Sequence, residues 1–163
     1  GEAAHCRFDN IDRRYRYVLY NRKDPFLYER AWFYPYPLDQ GILDEVARMV
    51  LETQDFTSFA KRNSQVKTFI CKIEESRWER TAFGWEYHVK ANRFLRGMVR
   101  GLVGTMLQAG RGQITAAEFK GIIEGRNNQL ANFSAPGKGL FLMEVNYPDG
   151  YFGRGDSGLV IPT

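Results

Sequence analysis

The residues most able to do chemistry in this chain are interleaved arginines and tyrosines. Arg13-Arg14-Tyr15-Arg16-Tyr17 is followed by Val18-Leu19-Tyr20. Arginine offers a planar fork of donors that matches phosphate or carboxylate. A tyrosine ring offers a stacking surface, and its hydroxyl a proton. A second concentration of arginine lies downstream. From Tyr87 to Ala117 there is no Asp or Glu, yet the stretch holds Lys90, Arg93, Arg96, Arg100 and Arg111. Those five charges exceed the net charge of the whole chain, +4 over 163 residues. Phosphate contact or base stacking fits both groups. Ordinary packing with local ion pairs fits them equally, because half-buried strands often carry Tyr.

The elements that must position these residues can be read from periodicity. The Arg-Tyr run is rich in aromatic and β-branched residues and is expected as a strand. Its period of two sends Arg13, Tyr15, Tyr17 and Leu19 to one face, and Arg14, Arg16, Val18 and Tyr20 to the other. Residues 24–37, with three prolines, are expected as an extended connection. Ile42, Leu43, Val46, Met49 and Val50 recur at helical spacing behind Asp39, a plausible N-cap. Phe69, Cys71 and Ile73 alternate, as do Trp85, Tyr87, Val89 and Ala91, with a polar loop expected between them from Glu75 to Arg80.

Leu95 to Gln108 reads as the strongest helix. At 100° per residue Arg93, Arg96 and Arg100 fall within about 60° of one another, opposite Leu95, Met98, Val99, Leu102 and Met106. Gly97, Gly101 and Gly104 lie beside the arginines. Each costs roughly 0.5–1 kcal/mol against Ala in a helix, so something is expected to approach the backbone there. Ala116 to Glu124 forms a shorter helix, and Leu140 to Val145 a last strand. No internal repeat or linker divides the chain. The expectation is one α+β domain over 1–163, a mainly antiparallel sheet with helices packed on one face.

Several classes fall away. The two cysteines, Cys6 and Cys71, form no CxxC and no disulfide ladder, and two histidines, His5 and His88, are too few for most His-based metal clusters. No disulfide framework and no zinc site are therefore expected. No apolar run reaches membrane-spanning length and no signal peptide is visible, which makes the cytoplasm the expected compartment and a membrane partner unexpected. Asp55-Phe56-Thr57-Ser58-Phe59 reads as a turn with two aromatic anchors. Gly137-Lys138-Gly139 lacks P-loop spacing. Arg154-Gly155-Asp156 sits in a glycine-rich tail as a chance triplet.

Taken in order, these segments resemble the C-terminal half of the tRNA pseudouridine synthase A family. His5-Cys6-Arg7-Phe8 is similar to His-Ala-Arg-Phe, and Arg13 to Tyr17 to the family's Arg-Arg-Tyr-Arg-Tyr strand. Asp55 to Phe59 matches its Asp-Phe-Thr-Ser-Phe. Lys90-Ala91-Asn92-Arg93-Phe94-Leu95, with Met98-Val99-Arg100 and Val103-Gly104, resembles Lys-Ala-Asn-x-Phe-Leu with Met-Val-Arg and Val-Gly. Ala135-Pro136 and Gly139-Leu140-Phe141-Leu142, with Val145-Asn146-Tyr147-Pro148, resemble the closing strand.

The resemblance implies isomerisation of uridine to pseudouridine in the tRNA anticodon stem-loop, without cofactor, by a homodimer. It makes Tyr15 the tyrosine that contacts the flipped base. It makes Arg100 the partner of a catalytic aspartate. Arg13, Arg14, Arg16, Arg93 and Arg96 then become RNA contacts. The family's nucleophile stands in Gly-Arg-Thr-Asp-x-Gly-Val, and no such string occurs here; Arg80-Thr81-Ala82 lacks the carboxylate. Without an initial Met, the chain is expected to be the C-terminal domain of a longer enzyme, inactive by itself. A non-catalytic RNA-binding module that stacks bases on the Arg/Tyr strand is the alternative.

Overall fold

The computed structural model describes residues 11–61 and 66–147. The His5–Phe8 segment, Pro148 and the Arg154-Gly155-Asp156 tail lie outside the described residues. Strand β1 (Asp12–Tyr20) is central. Strand β4 (Gly84–Ala91) runs antiparallel along its whole length, from Arg13 opposite Ala91 to Tyr20 opposite Gly84. The other edge of β1 is shared. Strand β5 (Leu140–Asn146) pairs antiparallel with Asp12 to Tyr17, and the short β2 (Trp32–Phe33) pairs parallel with Leu19 and Tyr20. Strand β3 (Ile73–Arg80) closes the far side against β4. The sheet is thus mixed but mostly antiparallel, in the order β2-β1-β4-β3 with β5 added to β1.

Tyr17 and Leu19 of β1 are buried with Trp85, Tyr87, Val89 and Ala91 of β4, as the period of two requires. Against that face lie α1 (Gln40–Glu52) and α2 (Met98–Gly110), which supply Leu43, Val46, Val50, Leu102 and Met106 to one core. Helix α3 (Ala116–Gly125) packs on the two helices and sends Phe119 inward. The N-cap of α1 is Asp39, whose carboxylate accepts from the Ile42 amide at 3.1 Å. A capping box between Thr115 and Glu118 starts α3. Phe56 and Phe59 anchor a single 3-10 turn in the core, as expected of two aromatic anchors.

Two expectations are corrected. The polar stretch Glu75 to Arg80 is not a loop but most of β3, and only Thr81 to Phe83 connect it to β4. An edge strand exposed on one face tolerates charges, and charged edges resist further pairing, so its hydrophobic signal is reduced to Ile73 and Trp78. Of the run expected as a strand before it, Thr68 to Lys72 contribute only an isolated bridge, Asp55 to Ile70. The second correction concerns α2, which begins at Met98, not Leu95. Gly97 has φ of 72°, a left-handed conformation that ends any helix arriving from the N-terminal side. Arg93 and Arg96 therefore lie before the helix, and the single arginine face expected on one wheel does not exist.

Candidate active site

Arg100 occupies the first turn of α2 and Tyr15 the middle of β1, yet both line one cavity of about 320 Å³. Phe94, Arg96, Val99 and Leu140 complete its principal walls. Tyr15 is fixed by Phe94, whose ring meets it edge-on at 4.8 Å between centroids, a favourable aromatic geometry. Arg100 is fixed by a hydrogen bond from its Nε to the Ala135 carbonyl at 2.6 Å. Among the described residues its two Nη groups have no partner and no carboxylate lines the cavity. Arg96 is exposed beside it, and its own carbonyl accepts from the Lys61 amide at 2.9 Å.

The segment from Asn132 to Gly139 makes this geometry possible. Gly101 and Gly104 turn toward it. A Cβ on Gly101 would stand 2.6 Å from the Phe133 ring, and one on Gly104 only 2.3 Å from the Asn132 carbonyl oxygen. The close approach expected of the helix glycines is thus backbone only at Gly104, a phenyl ring at Gly101 and the Lys61 side chain at Gly97, and the same segment presents Ala135 to Arg100. One residue on, the Pro136 carbonyl accepts from the buried Tyr17 hydroxyl. Burial pushes that phenol well above its ordinary range, with Arg100 acting weakly in the opposite direction. Tyr17 is therefore a neutral structural donor, and Tyr15 is the tyrosine that faces the cavity.

The remaining arginines separate by face. Arg13 shares the side of Tyr15. Arg93 donates from Nη1 to the Thr68 carbonyl at 3.1 Å and is not among the residues that line the cavity. Arg14 and Arg16 point to the opposite side of the sheet. Arg14 is ion-paired with Glu75 of β3 and, at 3.4 Å, with Glu144 of β5, a clamp across four strands in which Lys90 is the intervening residue. Arg16 lies 5.5 Å from the Phe141 ring centroid, and its Nε is buried without a partner among the described residues. Sequence reasoning gave no role to Phe94 or to the Ala135 carbonyl. Both stand inside quoted motifs, but their contacts span long sequence separations and leave no periodic trace.

A cavity with a braced tyrosine, two cations and no acidic residue among its described walls could take a planar ring together with an anionic group. Comparison with known proteins identifies the lineage: residues 46–148 match the model of the tRNA pseudouridine synthase family, and the chain belongs to that family. Among its relatives, the tRNA pseudouridine synthase A of Parabacteroides distasonis is 40% identical over 149 residues, covering 91% of this chain and 59% of the relative. That of Bacteroides thetaiotaomicron is 40% identical over 163 residues, 98% of this chain and 61% of the relative. The protein of the same name from Bacillus subtilis is 36% identical over 148 residues, 90% and 60% respectively. The chain spans about three-fifths of the length of these relatives.

Proposed function

We propose that this chain is the C-terminal domain of an enzyme that isomerises uridine to pseudouridine in the anticodon stem-loop of tRNA. In that reaction the N1–C1′ glycosidic bond breaks, a C5–C1′ bond forms, the C5 proton is lost and N1 gains one. The target base must first leave its stack, which costs roughly a few kcal/mol. The observation that carries the reading is the convergence of Tyr15 and Arg100 on one acid-free cavity. Tyr15 meets the flipped uracil and lies where a proton could be taken from or given to it. Arg100, anchored by Nε, turns its free Nη donors to the nucleophilic aspartate, holding that carboxylate ionised and oriented. The aspartate belongs to the part of the relatives that this chain does not cover.

Arg13, Arg93 and Arg96 flank the Tyr15 side and supply phosphate contacts. Arg14, paired with Glu75 and Glu144, supplies no phosphate contact, and Arg16 could reach RNA only from the opposite face of the sheet. A homodimer across which the tRNA lies, in the cytoplasm, belongs to the same reading. Exposed Phe26, Tyr28 and Phe83 provide apolar surface that an assembly would cover. No helix among the described residues is long and apolar enough to cross a membrane.

The test uses tRNA tritiated at C5 of uridine. The 163-residue chain alone is expected to release no tritium. Fused behind the uncovered part of the Bacteroides thetaiotaomicron relative, it is expected to release tritium in proportion to pseudouridine formed. Turnover by the chain alone, or an inactive but well-folded fusion, overturns the reading.

A further inference from the structure

Arg111 lies eleven residues beyond Arg100, which in a helix of 100° per residue is three turns plus about 20°. The two arginines therefore share one side of α2, about 16 Å apart at 1.5 Å per residue. Arg111 caps the helix, and its guanidinium carbon stands 3.6 Å from the centroid of Tyr36 and 5.7 Å from that of Tyr34. Tyr34 and Tyr36 are themselves in edge-to-face contact at 5.1 Å. Around them is a second cavity of about 400 Å³, within the usual range for small-ligand sites.

The walls of this cavity carry a distinct chemistry. Gln108, Gln113 and Asn132 line it, and among the described residues no acidic one does. The side-chain amides of Gln108 and Gln113 make no hydrogen bond among the described residues. Amides offer a donor and an acceptor side by side, the pattern that reads a base edge. Tyr36 is 47% exposed, so the Tyr36–Arg111 pair presents an open stacking surface. The two cavities are joined by one strip of backbone. Asn132 and Ser134 line the second, and Ala135 between them and β5 holds Arg100 in the first.

We infer that Tyr34, Tyr36 and Arg111, with Gln108, Gln113 and Asn132, form a second subsite that takes a ribonucleotide of the bound RNA. Its base stacks on the Tyr36–Arg111 pair, and its edge meets the amides. The inference rests on the reading that this chain acts on RNA. It adds that the strand leaving the Arg100 cavity passes over the Asn132–Ser134 segment that covers α2, and reaches the second cavity after roughly five stacked nucleotides at 3.4 Å each. The subsite positions RNA and takes no part in the bond changes.

The experiment measures binding of an unmodified tRNA transcript to the 163-residue chain at low salt, by filter retention and by quenching of a fluorescent purine analogue placed in the anticodon loop. Tyr36→Leu and Arg111→Gln are each expected to weaken binding roughly 5- to 100-fold, the range for loss of one base–aromatic or base–guanidinium stack. Tyr36→Phe, which keeps the ring, is expected to bind and quench as the unaltered chain does. A thermal melt of each variant separates lost stacking from lost fold, since Tyr36→Leu and Tyr36→Phe remove the same hydroxyl. Equal binding by Tyr36→Leu and Tyr36→Phe overturns the subsite. If Arg96→Gln and Arg100→Gln then still weaken binding, the RNA reading survives without it. No binding of tRNA by the unaltered chain overturns both.

Discussion

Arg100 on α2 donates from Nε to the carbonyl of Ala135 at 2.6 Å, so the guanidinium is held by one nitrogen while the residue lines the cavity that Tyr15 also lines and its two Nη groups keep no partner among the described residues. A lysine could carry the charge but could not be tethered at one nitrogen and offer two others in a plane.

Arg100→Lys in the fused, active enzyme is accordingly expected to lower kcat by about 10- to 100-fold, the loss of one to two charge-assisted hydrogen bonds at roughly 1.5–3 kcal/mol. Tritium release under saturating tRNA measures this. A lysine variant with undiminished kcat excludes the tethered-fork role.

Gly104→Ala and Gly121→Ala are expected to move stability in opposite directions, although both replace glycine within a helix. At Gly104 the new methyl meets the Asn132 carbonyl, a backbone atom that cannot swing aside, and about 1–3 kcal/mol of stability is lost. At Gly121 nothing lies within 4 Å, and about 0.5–1 kcal/mol is gained from helix propensity alone. Urea denaturation of the two variants reads both signs. The Gly104 variant also displaces Asn132 to Ala135, so it is expected to weaken tRNA binding.

Tyr17→Phe removes the hydroxyl that reaches the Pro136 carbonyl and leaves that acceptor without its donor. The expected cost is about 1 kcal/mol, seen as a fall in Tm of about 2–4 °C for a domain of this size. Tyr15→Phe, whose hydroxyl has no such partner among the described residues, is expected to leave Tm unchanged while impairing the fused enzyme.

Stability is expected to decline at both ends of the pH scale, for opposite reasons. Burial raises the Tyr17 and Tyr87 phenols, and the Cys71 thiol to about 11, above their unfolded values. A raised acid contributes stability that is complete below the unfolded pKa, near 10 for tyrosine, and is lost as pH climbs toward the folded one. At the acid end, burial tends to raise Glu75, but hydrogen bonds from Arg77 and Arg14 outweigh it and hold the carboxyl below its usual range. The Asn146 amide, with Arg14 behind it, lowers Glu144. These contributions are present above about pH 4–5 and disappear below it. Asp12, raised by burial and by Glu74, contributes in the opposite sense. Thermal melts across pH 3 to 11 should trace a broad plateau, and Glu75→Gln should flatten its acid limb.

Arg96→Gln is expected to weaken tRNA binding by the isolated chain and to reduce the slope of log affinity against log salt by about 1, as loss of one phosphate contact does. Arg14→Gln is expected to leave that slope unchanged, because Glu75 and Glu144 already neutralise Arg14 on the far face of the sheet. It is expected to lower stability instead, by up to about 1 kcal/mol for a partly exposed pair.

The division between these arginines marks how far the sequence could be read. Side-chain period is a local property, so the strand Asp12–Tyr20, its two faces, the Asp39 cap and the shorter helix ending at Gly125 were all legible in the order of residues. Strand β3 was not, because an exposed edge filled with Glu and Arg has the composition of a loop, and only pairing with β4 makes it a strand. The start of α2 was hidden as well. Leu95 and Met98 continue an apolar period through Gly97, while that glycine has positive φ and lies under the side chain of Lys61, 36 residues earlier in the chain.

By itself, then, the sequence determined where arginine and tyrosine concentrate and, along β1, which face each of them occupies. Those choices depend on spacings of two to four residues. The tertiary structure decided which of them meet. It brought Tyr15 and Arg100 to one cavity, separated Arg93 and Arg96 from the helix, and spent the charge of Arg14 on Glu75. Each of those outcomes depends on contacts between residues dozens of positions apart. Such contacts are fixed by the packing of helices on a sheet, and no periodicity along the chain encodes them.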